Sequence, residues 1–241
     1  MRAMIWNPLR LLWGLWVFVL VVPVVLVAAL PILLLPRLPA RRRAAAAVGR
    51  AYFRLCGMPV RARGFERLPD GACIIVANHA SYLDGPLLFA WLPPRFGFVI
   101  KKEAARTPLL GRLLLRLGHH FVERRNRHEG AGDTRRILRS LERGDAVAFF
   151  PEGTFHPERG IARFHGGAFA LAVRTATPVA PVAIRGTRRI FGSASPWPRW
   201  GRIEVEALEP LPARAGSGDA AAELRDFSRA AIAHATGEPL L

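Results

Sequence analysis

The stretch from Leu11 to Leu35 carries no charge and is almost entirely Leu, Val, Ala, Trp and Phe. A helix that is apolar all round must be buried in protein or lipid, and this one is long enough to cross the ~30 Å hydrocarbon core of a bilayer. The chain is therefore expected to fold against a membrane. A secretory leader is the competing reading, but the run exceeds the usual apolar core of one, and Pro36-Arg37-Leu38-Pro39 offers no small-residue cleavage site. Pro23 and Pro31 bend or break helices, so a kinked spanning helix and a bent hairpin dipping into one leaflet are both open.

Arg37, Arg41, Arg42, Arg43, Arg50 and Arg54 follow the apolar run, whereas only Arg2 and Arg10 precede it. The positive-inside rule then puts the rest of the chain on the cytoplasmic side of the cell inner membrane. From Arg41 to Cys56 arginine alternates with Ala, Tyr52, Phe53 and Leu55. Such a helix either lies on anionic headgroups, each arginine contributing about 1 kcal/mol, or packs as an ordinary solvated helix on the body of the protein. The formal net charge of +17 calls for an anionic partner. The basic residues are spread along the chain rather than gathered with stacking aromatics, and no nucleic-acid reader module is present, so the expected partner is an anionic membrane surface and not nucleic acid. Cys56 and Cys73 form no Cys-x-x-Cys pair, which leaves no disulfide framework and no zinc signature.

A chain of 241 residues, 51% of them apolar, suits one α/β domain with its own core plus an attachment segment. Residues 1–58 read as the anchoring segment and its basic interfacial helix, and residues 59–241 as the α/β domain. Short apolar runs at Ala72 to Ala77, Phe96 to Ile100, His120 to Glu123, Ala146 to Phe150, Val179 to Ile184 and Ile203 to Ala207 read as strands. Between them Asp84 to Trp91, Leu109 to Leu117, Gly132 to Arg143 and Phe164 to Thr175 have helical spacing, and Ala220 to Ala235 closes the chain as a helix. This alternation predicts a largely parallel sheet covered by helices.

Four strand ends carry polar residues. After the first apolar run comes Asn78-His79-Ala80-Ser81-Tyr82-Leu83-Asp84. Five residues along one helix would rotate His79 and Asp84 about 140° apart, so the pair can meet only across a turn, with Ser81 to Asp84 fitting a helix start. Phe150-Pro151-Glu152-Gly153-Thr154 follows another apolar strand, Lys101-Lys102 a third, and Arg124-Arg125 a fourth. Each alone reads as a capped helix, a plain turn or solvated surface. In a parallel sheet, however, these ends line one edge, where open α/β sheets bind ligands. A histidine–carboxylate pair beside fixed cations suits removal of a proton from a hydroxyl near a phosphate, and the apolar run points to a lipid.

The succession Asn-His-x-x-x-x-Asp, Phe-Val-Glu-Arg, Phe-Pro-Glu-Gly-Thr and Val-Ala-Pro-Val-Ala-Ile resembles the four ordered motifs of the bacterial 1-acylglycerol-3-phosphate acyltransferase family, from about Gly64 to Arg185. The resemblance implies transfer of an acyl group from a thioester co-substrate, acyl-CoA or acyl carrier protein, to the free hydroxyl of a lysophospholipid, with no other cofactor and no metal. It makes His79 the general base and Asp84 its orienting partner. Arg124, with Lys101 and Lys102, would hold the phosphate, and Glu152, Gly153 and Thr154, together with Asn78 and Ser81 of the first motif, would contact the acceptor. Direct attack on the thioester is implied, since there is no Gly-x-Ser-x-Gly elbow and neither cysteine lies in a motif. The helix start after Asn78 offers backbone N–H groups for an oxyanion. His119, His120 and His128 lack carboxylate or cysteine partners at ligand spacing.

Two departures stand out. Val122-Glu123-Arg124 replaces the family's frequent Ile-Asp-Arg, and Phe155 and His165 stand where the family often has an arginine and a lysine, with Arg159 or Arg163 as compensating cations. The leading acceptor is 1-acyl-sn-glycerol-3-phosphate, yielding phosphatidic acid. Another lyso-lipid, such as a lyso-ornithine lipid or lysophosphatidylcholine, is the alternative, and a non-enzymatic basic membrane-binding protein is the reading from a different class.

Overall fold

The computed structural model describes residues 7–123, 127–195, 197–213 and 219–241, with the backbone alone for 127–131. Arg124, Arg125 and the side chain of His128 thus lie outside the described residues.

The strands are β1 (Val60–Arg63), β2 (Cys73–Ala77), β3 (Phe96–Lys101), β4 (His120–Val122), β5 (Ala146–Phe149), β6 (Val179–Arg185) and β7 (Ile203–Ala207). The helices are α1 (Pro8–Leu34), α2 (Leu38–Leu55), α3 (Asp84–Trp91), α4 (Leu110–Arg116), α5 (Arg127–Glu142), α6 (Gly167–Thr175), α7 (Thr187–Phe191) and α8 (Ala220–Thr236). The sheet runs β1-β7-β6-β2-β5-β3-β4. From β6 to β4 neighbouring strands are parallel, β7 is antiparallel to β6, and β1 is parallel to β7. This is the expected largely parallel sheet, extended by one edge strand that the sequence does not announce.

Strand composition follows position. Cys73–Ala77 at the centre is buried at every residue, as a strand covered on both faces requires. In β7, Ile203, Val205 and Ala207 are buried while Glu204 and Glu206 are not, the alternation of a half-covered strand. One face of the sheet is packed by Phe53, Leu87, Leu88 and Ile190 of α2, α3 and α7. The other is packed by Ile137, Leu141, Phe169, Leu224 and Ile232 of α5, α6 and α8. The polar ends of β2, β3 and β5 consequently lie at one edge, with α1, α2 and α4 beside them.

The apolar run forms one unbroken helix with Pro23 and Pro31 inside it, so a bend that folds the run back on itself is ruled out. Over its length of about 40 Å, α1 touches the body of the protein near both ends. The indoles of Trp13 and Trp16 donate to Cys56 O and Leu55 O at 2.8 and 3.0 Å, and Trp197 donates to Arg10 O at 3.1 Å. At the other end Arg116 donates to Ile32 O and Leu33 O at 3.0 and 2.8 Å. Between them Leu12, Leu15, Val19, Val22, Leu26, Val27 and Leu30 face outward.

Helix α2 is packed on the body. The guanidinium of buried Arg42 donates to Leu117 O, Gly118 O, Arg95 O and Pro94 O at 2.8, 3.1, 2.9 and 3.3 Å. Leu117 and Gly118 end α4, where the helix dipole favours a cation. Arg41 and Arg50 likewise bond backbone carbonyls of Leu35, Pro36, Arg116 and Ala90. Much of the charge expected on lipid headgroups therefore ties helices together.

Candidate active site

The chain leaves β2 at Ala77 and turns before α3 begins at Asp84. Asn78 fixes the start of that turn. Its amide donates to Ile184 O at 3.0 Å and accepts from Ile184 N at 2.8 Å, so the side chain imitates a strand partner for β6. Ser81 fixes the middle, its hydroxyl donating to Phe191 O at 2.6 Å and accepting from Leu83 N at 3.1 Å. Both residues are buried with their polar atoms engaged inside the fold, where they support the turn.

Asp84 closes the turn. Its Oδ2 accepts from His79 Nδ1 at 2.9 Å, Ala80 N at 2.6 Å and Ser81 N at 2.8 Å, while Oδ1 is buried without a partner among the described residues. The carboxylate assigns the proton on the imidazole to Nδ1 and leaves the Nε2 lone pair free to act as a base. Glu152 holds the same turn from the neighbouring strand, accepting from His79 N at 2.7 Å and from Ala162 N at 2.9 Å. Burial pushes the Glu152 carboxyl above its ordinary range, and the two N–H bonds oppose that shift. The N–H groups of His79, Ala80 and Ser81 are thus bonded to carboxylates, which occupies three of the backbone donors that follow Asn78.

His79 is packed between aromatic rings, stacked on Phe150 at 4.3 Å and met edge-on by Phe155 at 4.7 Å. Tyr82 touches Phe155 in turn. A cavity of about 610 Å³ opens at this imidazole. Around the imidazole it is lined by His79, Tyr82, Phe150, Gly153, Thr154, Phe155 and Lys101. It then runs between Val24, Val25, Ala28 and Ile32 of α1, Ala45, Val48 and Gly49 of α2, Phe89 of α3, and Leu110, Leu113 and Leu114 of α4. Leu117, Phe98 and His119 also line it. A histidine paired with a carboxylate beside a mostly apolar cavity suits a reaction on one end of an alkyl chain.

Of the residues expected at the site, His79, Asp84, Lys101, Glu152, Gly153 and Thr154 come together at this edge, Glu152 as a buried support and Lys101 and Thr154 exposed. Lys102 is half-buried immediately after β3, and Arg124 lies outside the described residues. Arg159 donates to Gly237 O, and neither Arg159 nor Arg163 is among the residues lining the cavity. Arg188 secures the loop after Phe155, donating to His156 O, Glu158 O and Gly160 O and pairing with Glu238. Both cysteines are buried, and burial pushes their thiols up to about 11, the opposite of what a nucleophile needs.

A family model described as acyltransferase matches residues 59–185, more than half of the chain and the stretch that carries the dyad, Lys101 and Glu152. The chain belongs to the acyltransferase family. Among curated relatives, a lyso-ornithine lipid O-acyltransferase of Pseudomonas aeruginosa is 32% identical over 182 residues, covering 67% of this acyltransferase and 68% of that one. A chloroplastic 1-acyl-sn-glycerol-3-phosphate acyltransferase of Brassica napus is 31% identical over 135 residues, which span 55% of this chain but only 39% of the plant protein. The crystal structure of the 1-acyl-sn-glycerophosphate acyltransferase of Thermotoga maritima superposes with a TM-score of 0.78 over 94% of each chain at 24% identity, which shows the same fold.

Sequence reasoning missed Phe150, Phe155 and Tyr82 around the imidazole, and it missed the contribution of α1 to the cavity wall. A signal for Phe155 was present, since it departs from the family pattern at the motif itself.

Proposed function

We propose that this acyltransferase moves a fatty acyl group from acyl-CoA or acyl carrier protein to the free hydroxyl of a lysophospholipid at the cytoplasmic face of a membrane. The observation that carries the reading is the His79–Asp84 pair beside a mostly apolar channel. The acyl chain occupies the channel with its thioester carbonyl at His79. Nε2 takes the proton as the acceptor oxygen attacks that carbonyl, and Asp84 stabilises the imidazolium. The tetrahedral intermediate then expels the thiolate as its C–S bond breaks, and the imidazolium returns the proton to sulfur. Lys101, with Lys102 and Arg124, receives the anionic headgroup.

The acceptor we favour is 1-acyl-sn-glycerol-3-phosphate, which is named for most of the curated relatives and yields phosphatidic acid. A lyso-ornithine lipid is the second reading, supported by the Pseudomonas relative that matches two thirds of both chains and by Phe155 in place of a cation. The outward apolar side of α1, attached to the body near both ends, supports a helix embedded along one leaflet rather than one crossing it.

Purified full-length protein is assayed with both thioesters against lysophosphatidate, lysophosphatidylcholine and lyso-ornithine lipid. Transfer to lysophosphatidate is expected to dominate, and His79→Ala is expected to lower it by about 10²–10⁴-fold while vesicle binding persists. Acyl transfer retained in that variant contradicts the mechanism, and a preference for lyso-ornithine lipid selects the second reading.

A further inference from the structure

The channel wall carries an unusual residue for an apolar pocket. His119 is nine-tenths buried there, between the rings of Phe89 and Phe98 at 5.7 and 5.5 Å. Its Nδ1 accepts the backbone N–H of Phe98 at 3.2 Å, so the ring proton sits on Nε2. Nε2 has no partner among the described residues. Among the described residues, the fully enclosed polar side-chain atoms that lack partners are Arg10 Nε, Asp84 Oδ1 and Thr187 Oγ1, and His119 Nε2 is not among them. It therefore opens on the channel that its ring lines. Behind it lies the Arg42 guanidinium, and burial together with that charge keeps the imidazole neutral, pushing it down to about 3.

We infer that His119 ends the acyl channel by polarity rather than by bulk, its Nε2–H requiring a hydrogen-bond acceptor that an alkyl terminus lacks. The inference rests on the channel being the acyl site. A chain that stops short leaves Nε2–H its water. A chain one step longer displaces that water and leaves a buried donor unpaired, a loss of roughly tenfold or more in kcat/KM. In register, Phe98 lies level with Ala148 of β5 and through it with Ile75 of β2, four residues before His79. With strand rise and spacing added, His119 is roughly 15–20 Å from the reacting end, within reach of a fatty chain.

The test uses full-length protein in mixed micelles with one lyso-lipid acceptor and saturated acyl-CoAs from octanoyl to stearoyl in pairwise competition. Wild type is expected to show a sharp fall between successive lengths. His119→Phe, whose ring is no smaller than imidazole and cannot lengthen the channel, is expected to raise kcat/KM for the first rejected chain by about tenfold. The ω-hydroxy analogue of that chain should be accepted by wild type and disfavoured by the variant. His119→Gln, which keeps a donor, should restore the wild-type cut-off, and His119→Met gives the same reading as His119→Phe if the latter does not fold. An unchanged or shortened limit in both apolar variants overturns the inference, as does a limit that follows the acceptor's chain instead of the donor's. Absence of transfer with every donor in wild type instead overturns the proposed activity.

Discussion

The dyad depends on one carboxylate oxygen with three donors, and this could be anticipated because a five-residue spacing admits contact only through a turn. The remaining constraints were not legible, since they come from segments remote in sequence. Glu152 reaches His79 N only because β5 lies beside β2, and Asn78 meets Ile184 only because β6 lies on its other side. His119 shows the same gap between residue type and setting. A histidine after Gly118 reads as a surface or strand residue, yet it is buried neutral with its ordinary value of 6.5 pushed down to about 3. The unfolded chain binds a proton below about pH 6.5 that the folded chain refuses, so His119 contributes stability above that pH which is lost as pH falls toward 3. Urea unfolding in detergent should show wild type losing about 2 kcal/mol more than His119→Phe between pH 7.5 and 5. Equal losses would contradict the buried neutral state.

Among the elements, the interior strands could be located from sequence to within a residue or two because β2, β5 and β6 are plain apolar runs. Strand β1 escaped notice because four residues reading Val-Arg-Ala-Arg at a sheet edge carry little pattern, and α7 because it is only five residues long. For α2 the residues were read correctly as a basic helix, but not their partners, because carbonyl oxygens at the end of α4 leave no mark in composition. Arg42 joins α2, the end of α4 and the approach to β3 with no carboxylate among its hydrogen-bond partners. Replacing it by alanine strips several buried carbonyls of their donor and should lower stability by about 2–4 kcal/mol, measurable as a shift in denaturant midpoint. Arg42→Lys should recover only part of this, because an ammonium cannot reproduce the guanidinium fork. Full recovery would mean that charge near the helix end, and not the fork, is what matters.

At the scale of the whole molecule, the formal charge of +17 and the apolar side of α1 both favour an anionic bilayer. Trp16, Phe18, Tyr82 and Trp200 are exposed near the same edge, side chains that suit the water–lipid boundary. Gly14 shows how closely the helix is seated there, since a Cβ on it would come within 2.0 Å of the Trp197 indole. The inner side of α1 lines the channel, so its function extends past attachment. Ala28→Phe adds bulk inside the channel without touching the outward face. Vesicle binding should persist while kcat/KM for long-chain donors falls by about an order of magnitude relative to short ones. Loss of both together would mean that α1 had shifted as a body.

That double-sided helix limits how such a protein can be altered. An anchor that only holds an enzyme at a membrane is interchangeable with any other of similar length. Here the C-terminal part of α1 lines the cavity through Val24, Val25, Ala28 and Ile32 while Leu26, Val27 and Leu30 face outward, and Pro23 and Pro31 are built into its path. On the proposed reading, a foreign apolar helix grafted in its place would keep the outward face and lose the cavity wall, so attachment and substrate range would change together.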